Sequence, residues 1–255
     1  VTAISGSVSD INTSYSSSGI SGLGNEAVTV NSGSASVSEA NTLATATSGV
    51  VTATLSHGDL ATLTSLEGNG NAYSITISDT SVDASALSAL DGKTTATINV
   101  ASVAALTGTL SDLNSLHSSS GISGLGNEAV TLSDTSVAAS VLNTLDGNTT
   151  GVIDASTVTA ISGSVSDINT SYSSSGISGL GNEAVTLSDT SLASTVLNTL
   201  DGNTTGAVNA ATVTTLTGLA ADANTAYASS GISGLGNEAV TLSDTSVAAS
   251  VLNTL

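Results

Sequence analysis

The chain repeats itself. The block Ser-Ser-Gly-Ile-Ser-Gly-Leu-Gly-Asn-Glu-Ala-Val-Thr occurs four times, with its first glycine at Gly19, Gly121, Gly176 and Gly231. The block Ser-Asp-Thr-Ser begins at Ser78, Ser133, Ser188 and Ser243, three equal intervals that set a period of about 55 residues. A chain of near-identical units does not fold round one unique core, because each unit buries its apolar face against its neighbouring copies. The interval from Gly19 to Gly121 falls about eight residues short of two such units, so one early copy, over residues 30–75, carries a deletion and has diverged. The expectation is one continuous array of about 55-residue repeats over residues 1–255, two coils to a repeat. Val1 matches Val158 and Leu255 matches Leu145 and Leu200, so both ends are expected to cut through repeats of a longer array.

Each unit reads as two strand–helix pairs. In Ala129 to Ser133, Val130 and Leu132 alternate as in a half-buried strand. Asp134 and Thr135 then stand as helix N-cap candidates before a face of Val137, Val141, Leu142 and Leu145. Asp146-Gly147-Asn148 is expected to end that helix on a left-handed glycine. In the second half Ile153 and Ala155 form a brief strand, and Val158, Ile161, Val165, Ile168 and Tyr172 fall on one helical stripe. The same stripe recurs as Val1, Ile4, Val8, Ile11 and Tyr15, and as Val103, Leu106, Leu110, Leu113 and His117.

Short strands joined by helical crossovers require parallel pairing. The expected fold is therefore α/β: a β–α solenoid with short parallel strands, similar in plan to a leucine-rich repeat. Nine strands are expected, centred near Val28, Val51, Ser74, Thr97, Thr131, Ile153, Thr186, Val208 and Thr241, alternately about 22 and about 33 residues apart. At ~4.8 Å per coil the stack would be roughly 40 Å long. An all-β parallel β-helix is the alternative, favoured by the Thr and Ser content and opposed by the helical stripes.

Composition narrows the class further. The chain is 39% hydrophobic, nearly all Val, Ile, Leu and Ala, with no Phe, Trp, Met, Cys or Pro. Such a core must be narrow, with small side chains packed in regular layers. Twenty acids oppose one base, Lys93, for a net charge of -19. Nucleic acid and anionic membranes need Lys and Arg to neutralise phosphate, so neither is an expected partner, and no apolar run is long enough to span a membrane. The acidic surface attracts cations, divalent ones included. The near absence of Lys and Arg removes almost every trypsin-type cleavage site, which suits an exposed extracellular chain.

The strings Asp134 to Gly151 (Asp-Thr-Ser-Val-Ala-Ala-Ser-Val-Leu-Asn-Thr-Leu-Asp-Gly-Asn-Thr-Thr-Gly) and Ser119 to Thr131 resemble tandem repeats of very large secreted or cell-surface proteins of marine cyanobacteria, including the kind associated with swimming. That resemblance covers nearly the whole chain and implies a cell-surface location and a bulk role rather than a mechanism. Some giant proteins of this sort carry calcium-binding nonapeptides, but this chain has no Gly-Gly-x-Gly-x-Asp run, so no such site carries over.

Candidate chemistry is sparse. Asp79, Asp134, Asp189 and Asp244, one in each Ser-Asp-Thr-Ser, are the weak candidates for a metal site. Set two coils apart they would lie ~10 Å from one another, too far to share one Ca²⁺ at about 2.3–2.6 Å from its oxygens, and helix capping is the simpler role. Asp146 and Asp201 begin turns that lack the later ligands of an EF-hand loop. Glu26, Glu128, Glu183 and Glu238 recur before a strand and read as solvated charges or as cation bridges between molecules. His117 stands where other copies have Tyr15, Tyr172 and Tyr227, which marks it as a packing substitution, and His57 lies near Asp59 in the divergent copy. The Gly-Ile-Ser-Gly-Leu-Gly block precedes a strand, so it fails the context of a dinucleotide loop, and no Gly-x-Ser-x-Gly elbow with partners is present.

The expected function is that of an extracellular structural repeat protein, building an acidic rod, filament or surface layer, and not of an enzyme. No catalytic or cofactor-binding residue and no resident cofactor are expected, with calcium the one ion the acidity would favour. Expected partners are neighbouring copies of the same array, with divalent cations or surface glycans as further possibilities. An adhesin stalk, or a cation- or glycan-binding surface module, is the alternative.

Overall fold

The computed structural model describes residues 1–255 and is α/β, with several parallel sheets of short strands alternating with helices. The helices are α1 Val8–Ser16, α2 Val37–Ala46, α3 Leu60–Leu63, α4 Ala84–Asp91, α5 Leu110–Ser118, α6 Ala139–Asn148, α7 Val165–Ser173, α8 Ser194–Asn203, α9 Ala220–Ala228 and α10 Ala249–Leu252. These helices rule out the all-β alternative. The chain divides into two compact units, Val1–Glu128 and Ala129–Leu255.

In the first unit, strands Ala3–Ser7, Ala27–Ser32, Val51–Thr54 and Ala72–Ser74 form one parallel sheet. Strand Ser81–Asp83 pairs with Ala105–Gly108, and Ile98–Asn99 with Ile122–Ser123. The divergent copy keeps this plan with its shortest helix, α3, whose N-cap Asp59 accepts from the Thr62 N–H at 2.9 Å.

The second unit is more regular. Strands Ser136–Ala138, Ala160–Gly163, Ala184–Leu187, Val208–Asn209 and Ile232–Ser233 make a five-stranded parallel sheet. Strands Ala129–Leu132, Ile153–Asp154 and Ile177–Ser178 lie side by side, as do Ser191–Ala193, Thr215–Gly218 and Ala239–Leu242. The register is constant. Ala160 pairs with Ala184, Ile153 with Ile177 and Val185 with Val208, so paired strands lie about 23–24 residues apart. Consecutive helices from α6 to α10 pack on one another. Inward strand and helix residues fill the space between, among them Val130, Leu142, Leu145, Ile161, Ile168, Leu197 and Leu216, each at 1% exposure or less.

The alternating short and long spacing expected from the sequence thus belongs to successive passes of the chain, whose helices start at Ala139, Val165, Ser194, Ala220 and Ala249, by turns closer and farther apart, while the offset between paired strands is near-constant. A repeat of about 55 residues exceeds two such offsets by about seven, and the surplus is Ile177 to Glu183. That segment adds a strand of its own, so the circuit beginning at Ile177 runs through three strands before α8, where those beginning at Ala129 and Ile153 run through two. Ala129–Leu132 and Ala184–Leu187, identical in sequence, consequently sit in different sheets.

Four local expectations are corrected. Val158 and Ile161 do not belong to the helix: Ile161 is in a strand, and α7 starts only at Val165, after Gly163 at φ +147° and the N-cap Ser164. The Ser164 hydroxyl oxygen accepts from the Asp167 N–H at 3.1 Å, a side-chain cap that fixes the start of the helix. Ser7 and Thr109 act in the same way for α1 and α5, which leaves Ile4 and Leu106 in strands. Val137 is likewise buried in a strand while Val141 is 40% exposed, and the N-cap of α6 is Ala138, not Asp134 or Thr135. Finally, Gly147 is the penultimate residue of α6 and is not left-handed; Asp146 to Asn148 form its last turn.

Candidate functional site

The recurring polar residues converge at three kinds of junction, all of which tie one circuit to the next. The first is built from the recurring glycine block. Gly179 adopts φ +86° and passes so close to the Ser156 backbone that any side chain there would collide with it. The turn then directs Glu183 inward, where it is fully buried. Its carboxylate accepts from the Gly181 N–H at 2.9 and 3.1 Å and from the Tyr172 hydroxyl at 2.8 Å. Thr204 of the next circuit donates its hydroxyl to the Glu183 carbonyl oxygen at 2.8 Å.

The same node recurs. Tyr15 donates to Glu26, which also accepts from the Gly24 N–H, and Thr47 donates to the Glu26 carbonyl oxygen at 2.7 Å. Tyr227 donates to Glu238 at 3.0 Å, with the Gly236 N–H at 2.8 Å. Glu26, Glu128 and Glu183 have no exposed surface, so the reading of these carboxylates as solvated charges is corrected. A buried carboxylate is tolerated here because donors meet it on several sides.

The electrostatics follow from those donors. The Tyr15 hydroxyl, joined by the N–H groups of Gly24 and Asn25, holds Glu26 below the usual carboxylate range. At Glu238 burial pushes upward, but the Gly236 N–H and the Tyr227 hydroxyl outweigh it and leave the carboxyl below its ordinary value. Burial, and then the facing glutamate, push the Tyr15 and Tyr227 hydroxyls up to about 12. A tyrosine that stays protonated longer in the folded chain contributes stability that is complete below the unfolded value of about 10 and is lost as pH rises toward about 12. Alkaline titration followed by circular dichroism is therefore expected to show unfolding that begins at about pH 10, with tyrosinate absorbance appearing together with the loss of helix.

The second junction uses the four metal candidates. Asp79 Oδ2 accepts from the Leu60 N–H at 2.6 Å, Asp189 Oδ2 from the Val165 N–H at 2.7 Å and Asp244 Oδ2 from the Ala220 N–H at 2.8 Å. Each therefore caps a helix of the preceding circuit rather than the helix that follows it in sequence. Asp134 occupies the same turn, and its carbonyl oxygen accepts from the Thr157 hydroxyl at 3.0 Å. The Asp79, Asp189 and Asp244 carboxylates thus sit at separate helix starts, and no three His, Asp or Glu side chains converge on a common point. Asp189→Ala is expected to cost about 0.5–2 kcal/mol, as for loss of a helix cap, read as a lower urea midpoint at unchanged slope.

The third junction joins helix ends. Asp146 accepts from the Ser174 hydroxyl at 2.7 Å, Asp201 from Ser229 at 2.6 Å and Asp91 from Ser119 at 2.7 Å. Between helices, the Asn143 amide donates to the Asp167 carbonyl and Asn198 to that of Asp222, both at 2.9 Å.

The two histidines lie apart. His57 Nδ1 accepts from the Val37 N–H at 3.4 Å, while His117 takes the tyrosine position beside Glu128. The remaining concavities are open grooves along the helices, such as the one lined by Ser166, Asn169, Thr170, Ser173 and Asp189. No helix is long and apolar enough to cross a membrane.

No protein family, curated protein or solved structure matches the chain.

Proposed function

We propose that the chain is a structural repeat protein of the cell exterior, a building segment of an acidic filament or surface layer, and not a catalyst. In this reading the stacked circuits form a β–α solenoid of the leucine-rich-repeat kind. The observation that carries the proposal is the use made of the recurring polar side chains. Asp189 and Asp244, Asp146 and Asp201, Glu183 and Glu238, and Asn143 and Asn198 recur one repeat apart, and each pair makes the same type of hydrogen bond. A chain whose repeated chemistry is directed at its own stacking is suited to mechanical continuity. The uncharged Ser, Thr and Ala of the outer strand positions permit close lateral contact, and cations relieve the repulsion of a net charge of -19.

The test is electron cryo-microscopy of the protein purified from its source, with and without millimolar calcium and after EDTA. Extended assemblies with a repeat of about 4.8 Å running through them support the reading. Dispersed particles, each ending in a distinct globular tip, would replace it with an adhesin stalk. Assembly and melting temperature indifferent to EDTA would remove calcium from the account.

A further inference from the structure

Three of the four recurring glutamates face a tyrosine hydroxyl, and the fourth faces a ring of different chemistry. His117 Nε2 lies 3.6 Å from Glu128 Oε2, with side chains 4% and 0% exposed. The other ring nitrogen is committed, since Nδ1 lies 2.9 Å from the Leu113 carbonyl oxygen. A carbonyl oxygen only accepts, so Nδ1 carries a proton. Nε2 is buried without a hydrogen-bond partner. It therefore presents to Glu128 either a lone pair or, when the ring holds two protons, an N–H.

These two states differ in kind. A lone pair set against a buried carboxylate repels it and leaves the ring nitrogen unsatisfied. An N–H in the same place makes a charge-assisted bond, which draws the two atoms together. The Glu128 carboxylate is anchored on its other side by the Gly126 N–H, 2.9 Å from both oxygens, so it cannot swing away cheaply. On α5 and the elements of the same unit that pack against it, α4 and Ala105–Gly108, the other ionisable groups are Asp112 and Asp91, with Asp83 and Lys93 flanking α4. Asp83 and Asp112 are held at helix starts and Asp91 by Ser119.

We propose that His117 and Glu128 form a proton-gated clasp, closed when His117 Nε2 takes a proton from solvent and released when it gives that proton back. The clasp is closed while Nε2 holds a proton and open once that proton has left. The tyrosine nodes present a hydroxyl proton instead, so the device is confined to one node of four.

The experiment uses the full chain carrying His57→Gln, so that a single histidine remains, labelled with ¹⁵N. Over a pH series the ring is expected to pass from the form with both nitrogens protonated to the Nδ1–H form alone. Amide hydrogen exchange over residues 110–128 is expected to quicken about tenfold over the same interval, the worth of one hydrogen bond to a charged group. His117→Tyr is expected to abolish that change. A ring that keeps one protonation state throughout would overturn the proposal, as would parallel exchange profiles in the two proteins. If His117→Tyr does not fold, the ring titration in the histidine protein decides alone.

Discussion

Gly206→Ala is expected to destabilise the unit Ala129–Leu255 by about 3 kcal/mol, the upper end of the usual ~1–3 kcal/mol for a methyl forced into a packed interior. A methyl at Gly206 would fall on the carbonyl group of Glu183 and on the Ala184 N. Both belong to backbone of the neighbouring circuit, so no rotamer change makes room and the two circuits must part. The parting would also strain the Thr204 hydroxyl bond to the Glu183 carbonyl. Gly202→Ala provides the internal contrast. Gly202 lies inside α8 with nothing within 4 Å of an added methyl, so the same chemical change is expected to stabilise by up to about 1 kcal/mol through helix propensity. Urea midpoints of the two variants should therefore move in opposite directions. A Gly206→Ala protein as stable as the parent would mean that neighbouring circuits do not approach as described.

The second large effect concerns the buried carboxylates. Tyr172→Phe keeps the ring and removes one hydroxyl, leaving Glu183 buried with its Gly181 N–H bonds alone. Loss of a partner from a buried polar group costs about 1–3 kcal/mol. Thermal melts of Tyr172→Phe against the parent at neutral pH measure this, and a variant that melts with the parent would show that Tyr172 acts only by packing.

The sequence revealed the strands more clearly than the way they are stacked. Val28, Val51, Ser74, Thr131, Ile153, Thr186, Val208 and Thr241 all lie in strands, and Thr97 adjoins the strand Ile98–Asn99. Alternation of inward Val and Leu with outward Thr is a direct consequence of the strand period of two. The strand neighbours were hidden because the sequence repeat is not a whole number of the offsets between paired strands. Equal sequence positions then fall in different sheets, and counting from one repeat to the next points to the wrong neighbour. The strand Ala160–Gly163 was hidden for another reason. Val158, Ile161 and Val165 fit a helical stripe as well as they fit a strand and its flanks, and only the Ser164 cap with Asp167 at the third helical position marks the true helix start.

The glutamates were misread because Asn-Glu-Ala looks solvated in isolation. A signal was nevertheless present: each of Glu26, Glu128, Glu183 and Glu238 follows a Tyr or His at one fixed separation, Tyr15, His117, Tyr172 and Tyr227 in turn. The aspartates of Ser-Asp-Thr-Ser were legible as helix caps by residue type. Their destination was not, because they reach back to the helix of the preceding circuit, which no local pattern encodes.

The most direct test of the stacking is a distance along one column of the second unit. Ala138, Ser162, Thr186, Asn209 and Ser233 face one another in register, and Ala138 and Ser233 are exposed. The chain has no cysteine, so Ala138→Cys with Ser233→Cys gives a single pair for spin labelling. Four parallel steps of ~4.8 Å place the labels about 19 Å apart, and double electron–electron resonance should return one narrow distribution near that value. A distribution centred beyond about 30 Å, or spread without a maximum, would contradict circuits in constant register.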